Sequence, residues 1–282
     1  MTDTKIFPQP AWLAGAGNMG SALIEGWRAC GYDLSNITVI RPSGAAIEGV
    51  RVVKSVKDAG SAPKFVILAV KPQQLAEVAA QLRPHLSAQT VLVSTLAGAE
   101  LATLRRQFPG VRAIVRAMPN VGVAVRRGVI GLIGDGTDIA LEREIATIFQ
   151  PLGYAPWVAD EARLAALGAV AGAGPAYVAR FVQALAKAGE KLGLSEELAS
   201  SIALETVFGT AWLGASAGQT MDRLVAKVAS PNGTTEAGLA VLDRDGGLDA
   251  LVSEAIEAAD RRGKELAMEA EGASLAAEAT LH

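Results

Sequence analysis

The sequence predicts two unlike halves, an α/β unit built on a doubly wound parallel sheet and then an all-α unit. Three observations carry this. Short β-branched runs alternate with longer amphipathic stretches over the first half. Several of those runs, FVILAV at residues 65–70 above all, are apolar throughout instead of alternating. Strand-like runs then stop near Asp160, after which Ala, Leu, Glu and Lys recur at helical spacing. A continuously apolar strand is what a sheet covered by helices on both faces requires, because neither face meets water.

The expected strands are residues 11–14, 37–40, 50–53, 65–70, 91–94 and 113–116, with a further strand at 129–133 and a helix at 138–149 before the punctuation of Pro151 and Gly153. The domain boundary falls between residues 1–159 and 160–282. Helices are expected at 161–170, 175–192, 195–213, 220–228, 234–242 and 248–269. Pro175 suits a first helical turn, and Ser195 followed by Glu196 and Glu197 reads as a cap with negative charge at a helix N-terminus. Residues 272–282 lack a periodic face and read as a frayed end. The helical half carries more apolar residues, as in the run from Ile202 to Leu213, than so few helices can hide within one chain. A homodimer that buries the remainder is expected.

Composition narrows the chemistry. Half of the 282 residues are apolar, and the net charge of −3 with scattered Lys and Arg offers no field for nucleic acid. No window reaches the ~20 unbroken apolar residues of a membrane span, so no membrane partner and a cytoplasmic location are expected. The single Cys30 reads as a buried thiol near the end of a helix. The two histidines, His85 and His282, are too few for a histidine metal site or a triad, and no metal is expected. Chemistry must then rest on a cofactor, hydroxyls or backbone dipoles.

The first expected strand runs directly into Gly15, Ala16, Gly17, Asn18, Met19 and Gly20, followed by an amphipathic helix through Trp27. In a Rossmann-type dinucleotide fold the first glycine permits the tight turn, the second lets backbone approach a pyrophosphate, and the third lets helix and strand pack closely. The helix N-terminus receives the phosphates. The pattern alone is weak and also fits a glycine-rich turn without ligand, but strand, motif, helix and second strand stand in the required order. At the end of the second strand an NAD site places a carboxylate for the ribose hydroxyls. Here the residues are Ile40, Arg41, Pro42 and Ser43. Arg41 and Ser43 can donate to a 2′-phosphate, which favours NADPH over NADH, although Arg41 also fits a solvated surface charge.

Three further segments stand at element ends: Ala69, Val70, Lys71, Pro72 and Gln73; Arg116, Ala117, Met118, Pro119 and Asn120; and Ser230, Pro231, Asn232, Gly233, Thr234 and Thr235. With GAGNMG and with GAGPAY at residues 172–177 they resemble the pyrroline-5-carboxylate reductase family, in order and over almost the whole chain. The resemblance implies a Rossmann-type domain followed by a helical dimerisation domain, and NAD(P)H-dependent reduction of the cyclic imine 1-pyrroline-5-carboxylate to L-proline. It implies that Ala69, Lys71, Pro72, Ala97, Gly98 and Asn120 line the cofactor. It also implies that Met118, Ser230, Asn232, Gly233, Thr234 and Thr235 hold the substrate, and that the two domains share the site.

Those residues suit the chemistry. Hydride transfer to a C=N bond is easiest when the nitrogen is protonated, and the Thr235 hydroxyl, placed by the family motif beside that nitrogen, can position it and relay a proton through water. The substrate carboxylate can be received by backbone N–H groups and the helix dipole of the SPNGTT turn, although that turn also fits an ordinary cap. Lys71 also fits a strand-end lysine beside a helix-starting proline, and Asn120 a residue that satisfies its own loop. Tyr177 and Trp212 read as core. The chain departs from the family at Asn232, where glycine is usual, at Val121 and Gly122, where Thr and Pro are usual, and at Ala171 and Ala173, where serines are usual. Asparagine tolerates a left-handed backbone best among substitutes. The lost hydroxyls leave room for another cyclic imine. Two rival readings are an NADPH-binding sensor without turnover and a β-hydroxyacid dehydrogenase. The latter needs a lysine where Val178 stands, and a neutral valine cannot take the alcohol proton.

Overall fold

The computed structural model describes residues 5–7 and 10–279. His282 lies outside the described residues. Elements run in the order β1 (Lys5–Ile6), β2 (Ala11–Ala14), α1 (Asn18–Ala29), β3 (Tyr32–Asp33), β4 (Ile37–Ile40), β5 (Arg51–Val53), β6 (Phe65–Leu68), α2 (Leu75–Leu82), β7 (Val91–Ser94), α3 (Leu101–Gln107), β8 (Ala113–Pro119), β9 (Gly128–Asp135), α4 (Ile139–Phe149) and β10 (Gly153–Tyr154). Five helices follow: α5 (Glu161–Lys191), α6 (Glu196–Ala217), α7 (Met221–Val228), α8 (Thr234–Leu242) and α9 (Gly247–Ala279).

The main sheet has the order β5-β4-β2-β6-β7-β8-β9-β10. Its first six strands are parallel and reproduce the doubly wound dinucleotide-binding order, with the reversal between β2 and β6. The expected parallel sheet is broken once, because β9 pairs antiparallel to β8. The connection from Asn120 to Arg127 holds only a short 3-10 helix, and a parallel return would need a much longer crossover. Apolar residues on both pleats explain the unbroken runs. Leu13, Val39, Ile67, Val93 and Val115 face Leu23, Ile24, Trp27, Ile145 and Phe149 of α1 and α4. Trp12, Val66, Leu68 and Leu92 face Leu75, Ala79 and Leu104 of α2 and α3. The Trp27 indole N–H, fully buried, donates to the Ile148 carbonyl at 2.9 Å, so that core leaves no orphan donor.

The chain divides into two compact units, residues up to 172 together with those from 259 on, and residues 173–258. The first division between these units lies within α5, whereas the boundary expected at 159/160 lies just before that helix, and α9 begins in one unit and ends in the other. Two expected helices, 161–170 and 175–192, are one: α5 continues through Pro175, which sits inside the helix and not in its first turn. The end expected to fray is helical as far as Ala279. Cys30 caps α1 half-buried, its thiol donating to the Pro151 carbonyl at 3.2 Å.

Within the 173–258 unit the buried core is small, Ala186, Ala199 and Ala203 with Val182 against them. Tyr177 and Trp212, expected in a core, are 38% and 52% exposed. The unit buries too little side-chain volume to enclose them. Phe181, Ile202, Leu204, Phe208 and Leu213 are exposed with them. By length and composition α5 and α6 are apolar enough to cross a membrane, a property that the search for unbroken apolar runs misses.

Candidate active site

A cleft of about 700 Å³ opens at the carboxyl ends of β2, β4, β6 and β7, where the strand order reverses. Its walls include Gly15, Ala16, Gly17, Asn18 and Met19 after β2, Arg41 and Ser43 after β4, Ala69, Lys71 and Pro72 after β6, and Ala97 after β7.

The glycine loop is built as its residues require. Gly15 has φ +91°, and a Cβ there would lie 2.6 Å from the Ala69 carbonyl oxygen, so only glycine lets the ends of β2 and β6 approach this closely. Gly20 is buried, and a Cβ on it would lie 2.7 Å from the Gly15 carbonyl oxygen, which is the close packing of helix on strand. Gly17, the N-cap of α1, faces open space. No side chain caps α1 and its first turn holds no carboxylate, so its N-terminal N–H groups and dipole face the cleft uncompensated. That end can receive an anion.

Other residues fall elsewhere. Gly98 and Asn120 lie outside the cleft lining. Gly98 packs against the backbone of Leu266 and Ala267 in α9. Asn120 is engaged by its own loop: its side-chain oxygen accepts from the N–H groups of Gly122 and Val129, each at 3.1 Å, and its amide donates to the Ala171 carbonyl at 2.9 Å. The Ala171 carbonyl is free to accept because Pro175, four residues on in α5, has no N–H to offer it. The loop after β7 is braced by Glu161. That carboxylate accepts the Leu101 N–H at 2.8 Å and pairs with the buried Arg116. Met118 packs on Gly168 of α5.

The cleft also contains residues that the sequence reading missed, among them Lys54, Val56, Thr95 and Gln74. They come from segments close only in the fold. Lys54, at the end of the third strand of a dinucleotide-binding order, carried the only usable signal.

In the 173–258 unit the SPNGTT turn precedes α8. Asn232 has φ 58°, the left-handed backbone for which asparagine was the expected substitute. Gly233 is the N-cap and no side chain caps the helix. Not all the turn's N–H groups are available: that of Asn232 donates to the Glu236 carboxylate at 2.6 Å and that of Gly233 to the Ser230 carbonyl at 3.0 Å. The first helical bond runs from the Ala237 N–H to the Gly233 carbonyl, which leaves the N–H groups of Thr234, Thr235 and Glu236 at the open end. Thr235 is half-buried there and Ser230 is exposed.

Residues 161–266 match the family described as pyrroline-5-carboxylate reductase dimerisation. Residues 11–98 match the family described as NADP oxidoreductase, coenzyme F420-dependent. The pyrroline-5-carboxylate reductase of Pseudomonas aeruginosa is 39% identical over 267 residues, 92% of this chain and 97% of the relative. The chain belongs to the pyrroline-5-carboxylate reductase family. Solved structures of the family agree. That from Coxiella burnetii superposes with a TM-score of 0.84 at 31% identity, covering 92% of this chain and 99% of the other. The Plasmodium falciparum pyrroline carboxylate reductase, solved with NADP bound, superposes with a TM-score of 0.82 at 26% identity, covering 92% and 98%. The family thus accounts for both halves of the chain, the mostly parallel Rossmann-like unit and the helical one that follows.

Proposed function

We propose that this chain is an oxidoreductase that reduces 1-pyrroline-5-carboxylate to L-proline with NADPH, as a cytoplasmic homodimer. The observation that carries the cofactor half is the cleft at the strand-order reversal, with the uncapped N-terminus of α1 behind Gly15, Ala16 and Gly17. The nicotinamide cofactor supplies the hydride. The chain's own residues bind and orient. The open end of α1 takes the pyrophosphate, Arg41 and Ser43 take the 2′-phosphate, and Ala69, Lys71, Pro72 and Ala97 line the remainder. Gly98 and Asn120, whose contacts lie within the protein, shape the loops around that site. The open N–H groups of Thr234 and Thr235, with Ser230, Asn232 and Gly233, hold the substrate carboxylate, Met118 adds an apolar contact, and the Thr235 hydroxyl supports the ring nitrogen. The dimer is supported by the dimerisation-family match over residues 161–266 and by the exposed apolar residues of α5 and α6, which a second copy would cover. No metal and no membrane enter this reading.

A second reading keeps the chemistry and changes the ring. Val121, Ala171 and Ala173 bring no hydroxyl to positions where the family has Thr and serines, which favours a less polar imine. NADPH oxidation measured with pyrroline-5-carboxylate, pyrroline-2-carboxylate and piperideine carboxylates, with NADH in parallel, decides between them. Fastest turnover of pyrroline-5-carboxylate is expected. Cofactor binding without turnover of any imine would leave the chain a sensor.

A further inference from the structure

We infer that Lys54 is a second cation of the 2′-phosphate site, so that discrimination between NADPH and NADH rests on the ends of β4 and β5 together. The inference rests on the reading that the cleft takes NADP(H) with its adenosine end at β4. Adjacent strands bring the groups together: the Arg41 N–H donates to the Val53 carbonyl at 2.9 Å, which sets Lys54, the next residue, beside the turn from Arg41 to Gly44. That turn is closed by the Gly44 N–H on the Arg41 carbonyl at 3.0 Å, and the Arg41 guanidinium donates to the Ser43 hydroxyl at 2.9 Å.

The lysine stem is seated on this turn. A Cβ on Gly44 would lie 2.6 Å from Lys54 Cε and 2.9 Å from its Cγ, so the alkyl chain lies flat across the glycine, whose φ of +60° is in the left-handed region that favours glycine. Arg41, Ser43 and Lys54 all face the same cleft. Among the described residues neither Arg41 nor Lys54 is paired with a carboxylate, and no Asp or Glu at either strand end lines the cleft. Two unpaired cations and a hydroxyl suit a phosphate dianion, with arginine as the planar fork and lysine as the point charge. The uncharged ribose hydroxyl of NADH offers an ammonium far less.

Titration calorimetry with adenosine 2′,5′-bisphosphate and with adenosine 5′-monophosphate tests this without turnover, on the wild type, Lys54→Met and Lys54→Arg. Lys54→Met keeps the stem and removes the charge. It is expected to weaken bisphosphate binding about tenfold, near the low end for a charged hydrogen bond, and to leave the monophosphate unchanged. Lys54→Arg is expected to retain the preference. A wild type that favours the bisphosphate, beside a Lys54→Met variant that keeps that preference in full or loses both ligands equally, overturns the role of Lys54 and leaves the NADPH reading standing. A wild type with no preference removes the NADPH reading and this inference with it.

Discussion

Thr235 carries one of the two hydroxyls in the first turn of α8, half-buried beside N–H groups that no helical bond uses. In the reaction proposed above, threonine being a poor acid, its value would lie in holding the ring nitrogen and passing a proton through water. Thr235→Ala should lower kcat by about a hundredfold, the lower range for a positioned proton-transfer group, and leave NADPH affinity unaltered. Steady-state kinetics beside cofactor titration checks this, and an unchanged kcat would take Thr235 out of the reaction. Residues whose role lies in the backbone were legible from sequence at this scale. Gly15, Gly20 and the left-handed Asn232 are dictated by φ and by close approach, which follow from local order. Lys54 and Thr95 were not, because their neighbours in space are remote in sequence.

Pro175 shows how an element can contradict its own local rule. Proline normally ends or starts a helix, yet α5 runs through it, because the carbonyl it leaves without a partner, that of Ala171, is taken by the Asn120 amide. Two motifs that look independent in sequence are thus one hydrogen-bonding unit. Asn120→Ala strands that carbonyl and two backbone N–H groups and should cost about 2–3 kcal/mol of stability. In a Pro175→Ala background residue 175 regains an N–H for Ala171, so the same substitution should cost about 1 kcal/mol less. Denaturant unfolding of the four proteins at one protein concentration measures the coupling. Strictly additive costs would show that proline and asparagine are unconnected. The starts of the six parallel strands from β2 to β8 in the main sheet were readable to within a residue because helices on both faces demand continuous apolar runs, whereas the two-residue strands β1, β3 and β10 carried no such run and were missed. The direction of β9 was not, since it depends on the shortness of the link between β8 and β9.

The molecule as a whole exposes more apolar surface than a lone chain explains. Phe208 is 62% exposed and stacks on Trp212, itself half exposed, while the core of the 173–258 unit consists of small alanines. Apolar surface of this extent marks a protein interface. If the proposed dimer forms through this face, Phe208→Asp places a charge in its interface and should shift sedimentation from dimer toward monomer at micromolar concentration, with the far-ultraviolet circular dichroism of the helices retained. A dimer of undiminished affinity would move the interface away from α6.

What the sequence by itself determined was the pair of unlike halves, the places of the parallel strands along the chain and the tight glycine turn after the first of them, because each follows from hydrophobic period and from backbone conformations that few residues adopt. The tertiary structure decided the rest: that α5 survives its proline, that Asn120 serves its loop, that Glu236 occupies one N–H of the turn before α8, and that Lys54 stands beside Arg41. Each of these depends on which distant groups the fold brings within hydrogen-bonding reach, and no periodicity in a linear chain records such distances.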